Sequence, residues 1–564
     1  MSDLPTKPAV ADEKANLDAD AGLVSDANTV NTAELSDKAE AAPGDAPATE
    51  EFKYISGLRL YTVTGAVTLV VFLMLLDMSI IGTAVPRITT EFQSLGDVGW
   101  YGAAYNLSSA ALQPLTGKIY TYFKVKWSFL AFLAVFTFGS LICGVANSSN
   151  MLIGGRAIAG IGTSGLQNGG LTIISNSVPL EQRPALIGIL MGISQLGIVS
   201  GPLMGGAITQ YSTWRWCFYI NLPAAAVVAA LLVMIDIPER PPAVQHSVLR
   251  TLLSKMDLSG FALFAPAAIM LLLGLEYGGR SHPWNSATVI GLLVGSVATF
   301  VVFFFWEGRQ GDEAMFPLGM IKRREVWTSL VTTMLIMGAV VLVNAFYLPI
   351  YFQSVKGVSP FTSGVYVLPN ILSSLIFSVV SGLLVTKLGY YIPWVLGSAA
   401  LSAIACGLLS TLSISTSTGE WVGYQLILGA RGAAMQMPLL AVQAVLPQSQ
   451  ISVGMALIVF ANTFGGAIFL TVAQTIFTNS LRKHVEEYAP TIDLQQLLDA
   501  GASGIRGLVS EADLPGVLRA YSESVDQVFY LLTAASICAF IAGWGMGWYD
   551  LRKKKLPLPG SAEA

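Results

Sequence analysis

The chain has 564 residues, of which 53% are hydrophobic and only 12% are charged. Soluble domains carry about a quarter charged residues, so this composition excludes an ordinary soluble enzyme and favours a protein embedded in a membrane. The formal net charge of −4 is uneven, because residues 1–51 contain twelve acidic side chains and three lysines and the apolar remainder is mildly basic. We expect residues 1–57 to be a disordered acidic cytosolic tail, since they hold too little apolar surface to fold.

Fourteen apolar segments follow the tail, and each is long enough to cross the hydrocarbon core of a bilayer, about 30 Å thick, as a helix. Their predicted limits are 61–85, 98–119, 127–147, 151–174, 184–209, 215–235, 258–278, 286–306, 326–352, 362–385, 392–413, 421–444, 451–478 and 525–548. Lysine and arginine concentrate in the loops that a cytosolic N-terminus places inside. We therefore expect an all-α integral membrane protein with fourteen transmembrane helices and no cleaved signal peptide.

The two halves of the chain show an internal repeat. Gly160 and Gln167 of the fourth segment recur as Gly429 and Gln436 of the twelfth, an offset of 269 residues. The repeat predicts two six-helix bundles with two inserted helices between them, and the alternative is coincidence among glycine-rich helices. The predicted parts are an N-terminal bundle (58–236), a cytosolic linker (237–257), the inserted helices with a cytosolic loop (258–325), a C-terminal bundle (326–549) with a long outer loop at 479–524, and a cytosolic tail (550–564).

The first segment contains a carboxylate, Asp77, about two turns inside its apolar stretch. Its neighbours three and four residues away are all apolar, so its own helix offers no partner. An ionised group facing lipid is costly, and we expect Asp77 to face the bundle interior or a water-filled cavity as a proton-coupling site. The alternative is a structural carboxylate paired with an arginine.

The fourth segment contains Arg156 near its start, and Arg156 shares one helical stripe with Gln167. Arg156 either biases the protonation of a carboxylate or anchors the helix by extending to the membrane interface. Amides at membrane depth are candidates for the substrate cavity, or else for ties between helices: Asn106, Gln113, Gln167, Gln195, Asn344, Gln425, Gln436 and Gln443. On a regular helix the three glutamines of the twelfth segment fall within about 20° of one another, and Arg431 faces elsewhere.

The fifth segment has glycines four residues apart at Gly197, Gly201 and Gly205. Small residues at this spacing form a face that lets a neighbouring helix approach closely. Pro202 removes a backbone donor and favours a bend. This segment is therefore predicted to serve helix packing, with a candidate hinge.

Four strings in this chain together resemble the motifs of the fourteen-span drug:proton antiporter branch of the major facilitator superfamily. They lie at residues 76–86, 156–162, 197–206 and 214–223. The resemblance extends from about residue 58 to 552. It implies that Asp77 is the proton-coupling carboxylate, that Arg156 belongs to the proton relay, and that Gly201, Pro202, Gly205 and Gly206 govern packing during export.

The loop after the second segment departs from the superfamily pattern, because Thr121 stands where that pattern has aspartate and Tyr122 where it has arginine. The charge-based cytosolic latch usually assigned to this loop is therefore in doubt. Strings at 121–127, 278–286 and 386–391 instead resemble a fungal subset that exports toxins and secondary metabolites.

These features predict a proton-coupled efflux antiporter that exports an amphipathic small molecule (a toxin, secondary metabolite or drug) by alternating access. The alternative is a proton-coupled uptake symporter for a small nutrient, and the fifth-segment string argues against it. A membrane enzyme is disfavoured, because the three histidines fall in separate loops. No phosphate-binding glycine loop is present, so we expect the proton gradient, without a cofactor, to supply the energy.

The expected partners are a small-molecule substrate and the lipid bilayer, with no nucleic acid, and the protein is expected to be a monomer. The four cysteines lie far apart and predict no metal site. We expect a multi-pass protein of the plasma membrane, with the vacuolar membrane as the alternative. Asn147 begins a glycosylation sequon on the predicted outer side, close to the membrane.

Overall fold

The computed structural model describes residues 54–94, 97–238, 255–278, 282–492, 496–497 and 505–553. The predicted N-terminal tail up to residue 53, most of the linker and most of the C-terminal tail lie outside the described residues. Within the described part every regular element is a helix, and the β contact between Gly278 and His282 is an isolated bridge.

The N-terminal bundle begins with five long helices and ends with a short one and a medium one. They are α1 (Gly57–Phe92), α2 (Val98–Tyr122), α3 (Val125–Gly144), α4 (Ser149–Ser177), α5 (Arg183–Tyr211), α6 (Trp216–Tyr219) and α7 (Asn221–Met234). The strongest packing pairs are α1 with α5 and α3 with α4. A Cβ on Gly162 would lie 2.4 Å from the backbone nitrogen of Phe136, so the missing side chain lets α3 and α4 approach closely.

Two inserted helices and the C-terminal bundle complete the chain. The inserted pair is α8 (Leu258–Tyr277) and α9 (Ala287–Gln310), followed by the one-turn α10 (Leu318–Ile321). The C-terminal bundle comprises α11 (Arg324–Thr333), a π-helix (Met334–Val343), α12 (Asn344–Ser354), α13 (Pro360–Leu388), α14 (Ile392–Leu409), α15 (Thr418–Leu428), a 3₁₀ helix (Gly429–Ala434), α16 (Met437–Val445), α17 (Ile451–Tyr488) and α18 (Leu514–Gly543).

Helices occupy all fourteen predicted segments, but among the described residues eleven helices are long and apolar enough to cross a membrane. The three segments that fall short are α2, α4 and the interrupted helix at 418–445. Their interior positions carry glycine, serine and amide side chains that lower the hydropathy, and most of α4 is buried among other helices. The all-helical architecture is confirmed, whereas the number of crossings is not fixed by length and composition.

The long outer loop predicted at 479–524 is wrong in its limits. Helix α17 continues to Tyr488, and α18 begins at Leu514 instead of at the predicted residue 525. These extensions of α17 and α18 contain charged residues, so their sequence does not look like a membrane span. They nevertheless continue the same two helices. Tyr488 donates to Glu523 at 3.0 Å, which ties the two extensions together.

The bundles meet at the end predicted to be cytosolic. One hydrophobic cluster there includes residues of both bundles, among them Leu186 of α5, Val385 of α13 and Val453 of α17. At the opposite end the buried residues fall into separate clusters, one around Trp214 and one around Trp421. The structure is therefore closed at the predicted cytosolic end.

Glycines make this closure tight. A Cβ on Gly382 of α13 would lie 2.4 Å from the carbonyl oxygen of Pro184, and one on Gly188 of α5 would lie 2.7 Å from that of Ser378. A Cβ on Gly117 of α2 would lie 2.7 Å from the Cα of Val453. Side chains at these positions would hold the bundles apart.

Candidate functional site

Asp77 and Arg156 form an ion pair inside the N-terminal bundle. The Nη1 of Arg156 on α4 donates to the Oδ2 of Asp77 on α1 at 2.5 Å, and both side chains are fully buried. The Nε of Arg156 also donates to the carbonyl oxygen of Tyr101 at 2.9 Å, and its guanidinium lies 4.2 Å from the ring centroid of Tyr105. The structure thus joins the two residues that the sequence assigned to proton coupling, and Arg156 points inward instead of to the interface. The alternative, a structural carboxylate paired with an arginine, describes the same contact, so the pair alone does not assign the role.

The second oxygen of Asp77 is held by a residue that sequence reasoning did not assign a role. The Nδ2 of Asn221, the first residue of α7, donates to the Oδ1 of Asp77 at 3.0 Å and to the Oγ of Ser140 on α3 at 3.3 Å. Helices α1, α4 and α7 therefore meet at one carboxylate, and α3 is connected to it through Ser140 and Asn221. The available signal was the 214–223 string, in which Asn221 is a polar residue among apolar ones.

The rest of the 214–223 string anchors α6 and α7 at the outer end of the bundle. Trp214 Nε1 donates to Glu91 at 2.6 Å, and Arg215 forms a 2.9 Å ion pair with the same carboxylate. Hydrogen bonds from Arg215 and Trp214 hold the pKa of Glu91 below its usual range. This connection ties the end of α1 to the chain that leads into α7, and so it helps to set the position of Asn221.

Helix α5 packs on α1 along its glycine face, directly beside the ion pair. A Cβ on Gly197 would lie 2.5 Å from the carbonyl oxygen of Phe72, and one on Gly201 or Gly205 would collide with the side chain of Ser79 or Thr83. Gly206 differs, because a Cβ there would meet nothing within 4 Å. One residue corresponds to about 100° around a helix, so Gly206 is turned away from α1 and packing against α1 does not explain it.

Replacing Gly201 with valine is expected to destabilise the folded protein by about 1–3 kcal/mol, since the added atoms would overlap Ser79 and the backbone of Ile80. Thermal denaturation of the purified protein in detergent measures the effect. Gly206→Ala is the matched control on the same helix and is expected to change stability by less than about 0.5 kcal/mol. Equal effects of the two substitutions would contradict the packing described here.

The candidate cavity amides divide into two groups. Asn106, Gln167 and Gln195 are partly exposed, on α2, α4 and α5. The others are buried in this conformation, namely Gln113, Asn344, Gln425, Gln436 and Gln443. Both side-chain polar atoms of Asn344 and the Oε1 of Gln113 are buried without a hydrogen-bond partner among the described residues. The partly exposed group keeps some of its surface uncovered in this conformation, which is closed toward the cytosol.

The predicted glutamine stripe of the twelfth segment assumed a regular helix, and that assumption was wrong. Six residues, Gly429–Ala434, are 3₁₀-helical. The tighter 3₁₀ turn rotates later residues by roughly a third of a turn relative to an α-helix. Gln425 donates to the carbonyl of Tyr366 at 2.9 Å, before this break, while Gln436 and Gln443 come after it.

Gln436 and Gln443 contribute to the contact between bundles at the closed end. Gln436 Nε2 donates to the carbonyl of Ser378 at 2.9 Å and lies beside Gly188. Arg183 of α5 donates to the Oε1 of Gln443 at 2.9 Å. Arg431, which faces elsewhere, donates to Asn370 of α13 at 2.6 Å.

The last turns of α2 make a contact that their altered sequence did not predict. Lys118 Nζ donates to the backbone carbonyls of Lys255, at 3.2 Å, and of Glu313. These residues flank the inserted helix pair. Thr121 instead donates to the carbonyl of Gly117 in its own helix at 2.8 Å. Lys118 therefore joins this end of α2 to the segments that flank the inserted helices.

The remaining predicted features are peripheral. Asn147 is exposed at the short turn between α3 and α4. In the part of the chain that the structure describes, no group of three histidine, cysteine, aspartate or glutamate side chains lies close enough to hold a metal ion.

Comparisons with known proteins agree with this architecture. The family model described as Major Facilitator Superfamily matches residues 67–470. The chain is 54% identical over 530 residues to the MFS-type transporter pigP of Monascus ruber, which covers 94% of this chain and 93% of that protein. It is 50% identical to the efflux pump mlcE of Penicillium citrinum, covering 89% of this chain and 92% of that protein.

Solved structures show the same fold at low sequence identity. The proton:xylose symporter XylE bound to 6-bromo-6-deoxy-D-glucose has a TM-score of 0.56 at 16% identity, covering 88% of this chain and 98% of that one. The human organic anion transporter MFSD10 has a TM-score of 0.52 at 13% identity, covering 85% of this chain and 99% of that one.

Proposed function

Because the chain belongs to the Major Facilitator Superfamily, we propose that it is a proton-coupled antiporter that exports an amphipathic small molecule by alternating access. Its family makes it a multi-pass membrane transporter of small molecules and not an enzyme. The direction of transport, the coupling ion and the substrate class are the proposed parts.

The observation that carries proton coupling is the buried pair of Asp77 and Arg156. A charge inside a membrane protein is costly, so ionised Asp77 and Arg156 stabilise each other, and protonation of the carboxylate leaves the guanidinium as a buried cation that favours a rearrangement. Protonation of Asp77 would free Arg156 from α1. One proton can thus loosen the contact between α1 and α4 inside the N-terminal bundle, and this change is proposed to be coupled to the movement of one bundle against the other.

The closed cytosolic end and the separate outer clusters support an outward-facing state. In the proposed cycle, this is the state that releases substrate outside and receives a proton. The bundles then separate at the glycine contacts around Gly382 and Gly188, and the cavity opens to the cytosol. Lys118 would keep the inserted helices attached to the N-terminal bundle during this movement.

We place fourteen crossings in the membrane, with α2, α4 and the helix at 418–445 as the three less apolar ones. Interior helices that line a polar path are expected to be less apolar than those facing lipid. The N-terminal bundle would then be residues 58–236 and the C-terminal bundle residues 326–549, with both chain ends in the cytosol. We assign the protein to the plasma membrane as a monomer.

The substrate class follows from the partly exposed amides Asn106, Gln167 and Gln195. Amides donate and accept hydrogen bonds without carrying charge, so they suit neutral or weakly cationic molecules with polar groups on an apolar body. Export is favoured by the names of relatives, since mlcE and the MFS1 protein of Trichophyton rubrum, 41% identical, are both termed efflux pumps. Uptake of a small nutrient by symport is the alternative.

Removing this protein from its own host is expected to leave an endogenous small molecule inside the cells and absent from the medium. Mass spectrometry of cell and medium extracts, with and without the protein, would identify that compound. Everted vesicles then test direction and coupling, since loading of the compound should require an acidic lumen and stop with a protonophore. Accumulation in intact cells that depends on the protein would instead establish uptake.

A further inference from the structure

Asn221 occupies the part of the Asp77 site that faces away from Arg156. Its side chain is fully buried, and its Nδ2 donates to Asp77 Oδ1 at 3.0 Å and to Ser140 Oγ at 3.3 Å. Its Oδ1 accepts no hydrogen bond from the described residues. A buried hydrogen-bond acceptor without a donor is energetically unfavourable. A second orientation of the amide, in which this oxygen accepts a hydrogen bond, would remove that cost.

A carboxylate and a carboxylic acid need opposite partners. Ionised Asp77 only accepts hydrogen bonds, whereas protonated Asp77 gains an O–H that must donate to an acceptor. The asparagine amide provides both partners, because its Nδ2 donates hydrogen bonds and its Oδ1 accepts them. Rotating it by half a turn exchanges Nδ2 for Oδ1 in front of Asp77 without moving the backbone.

We propose that Asn221 is a positioning residue that follows the protonation state of Asp77 by turning its side-chain amide. With Asp77 ionised, Nδ2 donates to it as observed. When a proton binds to Oδ1 of Asp77, the amide turns and Asn221 Oδ1 accepts that O–H. The inference rests on the proposed role of Asp77 in proton coupling.

Ser140 is suited to both orientations, because a hydroxyl accepts from Nδ2 in one and donates to Oδ1 in the other. The other charged or titratable groups that act on Asp77 are Arg156 on α4, Tyr105 on α2, Cys143 on α3 and Cys217 on α6. Arg156 has only N–H donors and cannot accept from the protonated acid. Asn221 therefore keeps the neutral acid in place while Arg156 is released.

Infrared difference spectroscopy of the full-length protein in lipid nanodiscs tests this proposal. The protein carries isotopically labelled asparagine side chains, and the buffer is stepped from alkaline to acidic. We expect a carboxylic acid band that is lost in Asp77→Asn. We also expect an asparagine carbonyl band that shifts in the same step and is lost in both Asp77→Asn and Asn221→Leu.

Asn147→Gln is the control, because it removes a labelled asparagine that is exposed on the turn between α3 and α4, and it should keep the shift. If Asn221→Leu does not fold, Asn221→Thr keeps a polar side chain without adding a carboxyl group and removes the same amide band. An Asp77 band without the asparagine shift would overturn the role of Asn221 and leave proton coupling intact. Absence of an Asp77 band, with proton-driven transport retained in Asp77→Asn, would instead overturn the proposed function.

Discussion

Replacing Asp77 with asparagine is expected to abolish export driven by a proton gradient. The substitution keeps the size of the side chain but replaces the carboxylate with an amide, which does not take up a proton. It also leaves Arg156 as a buried charge without its partner. Removing one member of a buried pair costs about 3–5 kcal/mol, so the variant should also be less stable.

A double-variant cycle separates the two effects. Asp77→Asn combined with Arg156→Gln removes both charges, and we expect most of the lost stability to return while proton-driven export stays absent. Export is measured in everted vesicles with the compound identified from the host, and stability by thermal denaturation in detergent. Proton-driven export by the single variant would show that Asp77 has a structural role alone.

Glu91→Gln provides a control at the outer end of the same helix. Its pair with Arg215 is partly exposed, and such pairs contribute about 0–1 kcal/mol. We expect near-normal export from this variant. A large loss there would mean that export depends on any carboxylate of α1.

Replacing Gly382 with leucine is expected to hold the cytosolic end open and to stop export. The Cβ alone would lie 2.4 Å from the carbonyl oxygen of Pro184, and its nearest neighbours all belong to α5 of the other bundle. Each bundle should therefore still fold. The obstruction acts on the closed state only, because the two helices separate when that end opens.

The opening can be measured with Ser175→Cys, a buried position beside Gln443 at the junction of the bundles. In the otherwise unchanged protein a membrane-impermeant thiol reagent on the cytosolic side should react slowly. With Gly382→Leu the reaction should be fast. Gly364→Leu on the same helix is the control, since a Cβ there meets nothing within 4 Å. Protection of the cysteine together with normal export in Gly382→Leu would contradict the closed interface.

Hydropathy predicted where the helices lie but not where they end. Apolar runs long enough for a bilayer are an unambiguous signal, so helices occur at every predicted segment. The extension of α17 to Tyr488 was missed because its charged residues face water while the helix continues. The 3₁₀ turn at Gly429–Ala434 was missed because glycine and alanine in that run do not distinguish the two helix types.

Part of the site was accessible from the sequence, because an intramembrane carboxylate and arginine are rare and stand out individually. Their pairing was not, since Asp77 and Arg156 are 79 residues apart and no local periodicity relates them. The role of Asn221 was harder to predict than that pairing, because an asparagine at the start of a helix has many explanations that involve no functional site. Only the packing of α1, α3, α4 and α7 brings its amide to the carboxylate.

The glycine contacts between the bundles have a consequence for the cell's ionic environment. An ion-pair latch weakens as salt rises, because mobile ions screen charges over about 8 Å at physiological ionic strength. Here the closest approaches are between main-chain atoms at Gly382, Gly188 and Gly117, and Arg183 meets a neutral amide. Contacts between main-chain atoms involve no charged group and so do not weaken through screening. The closed cytosolic end should therefore be equally stable at low and at high ionic strength. It should also stay closed in a host under osmotic stress.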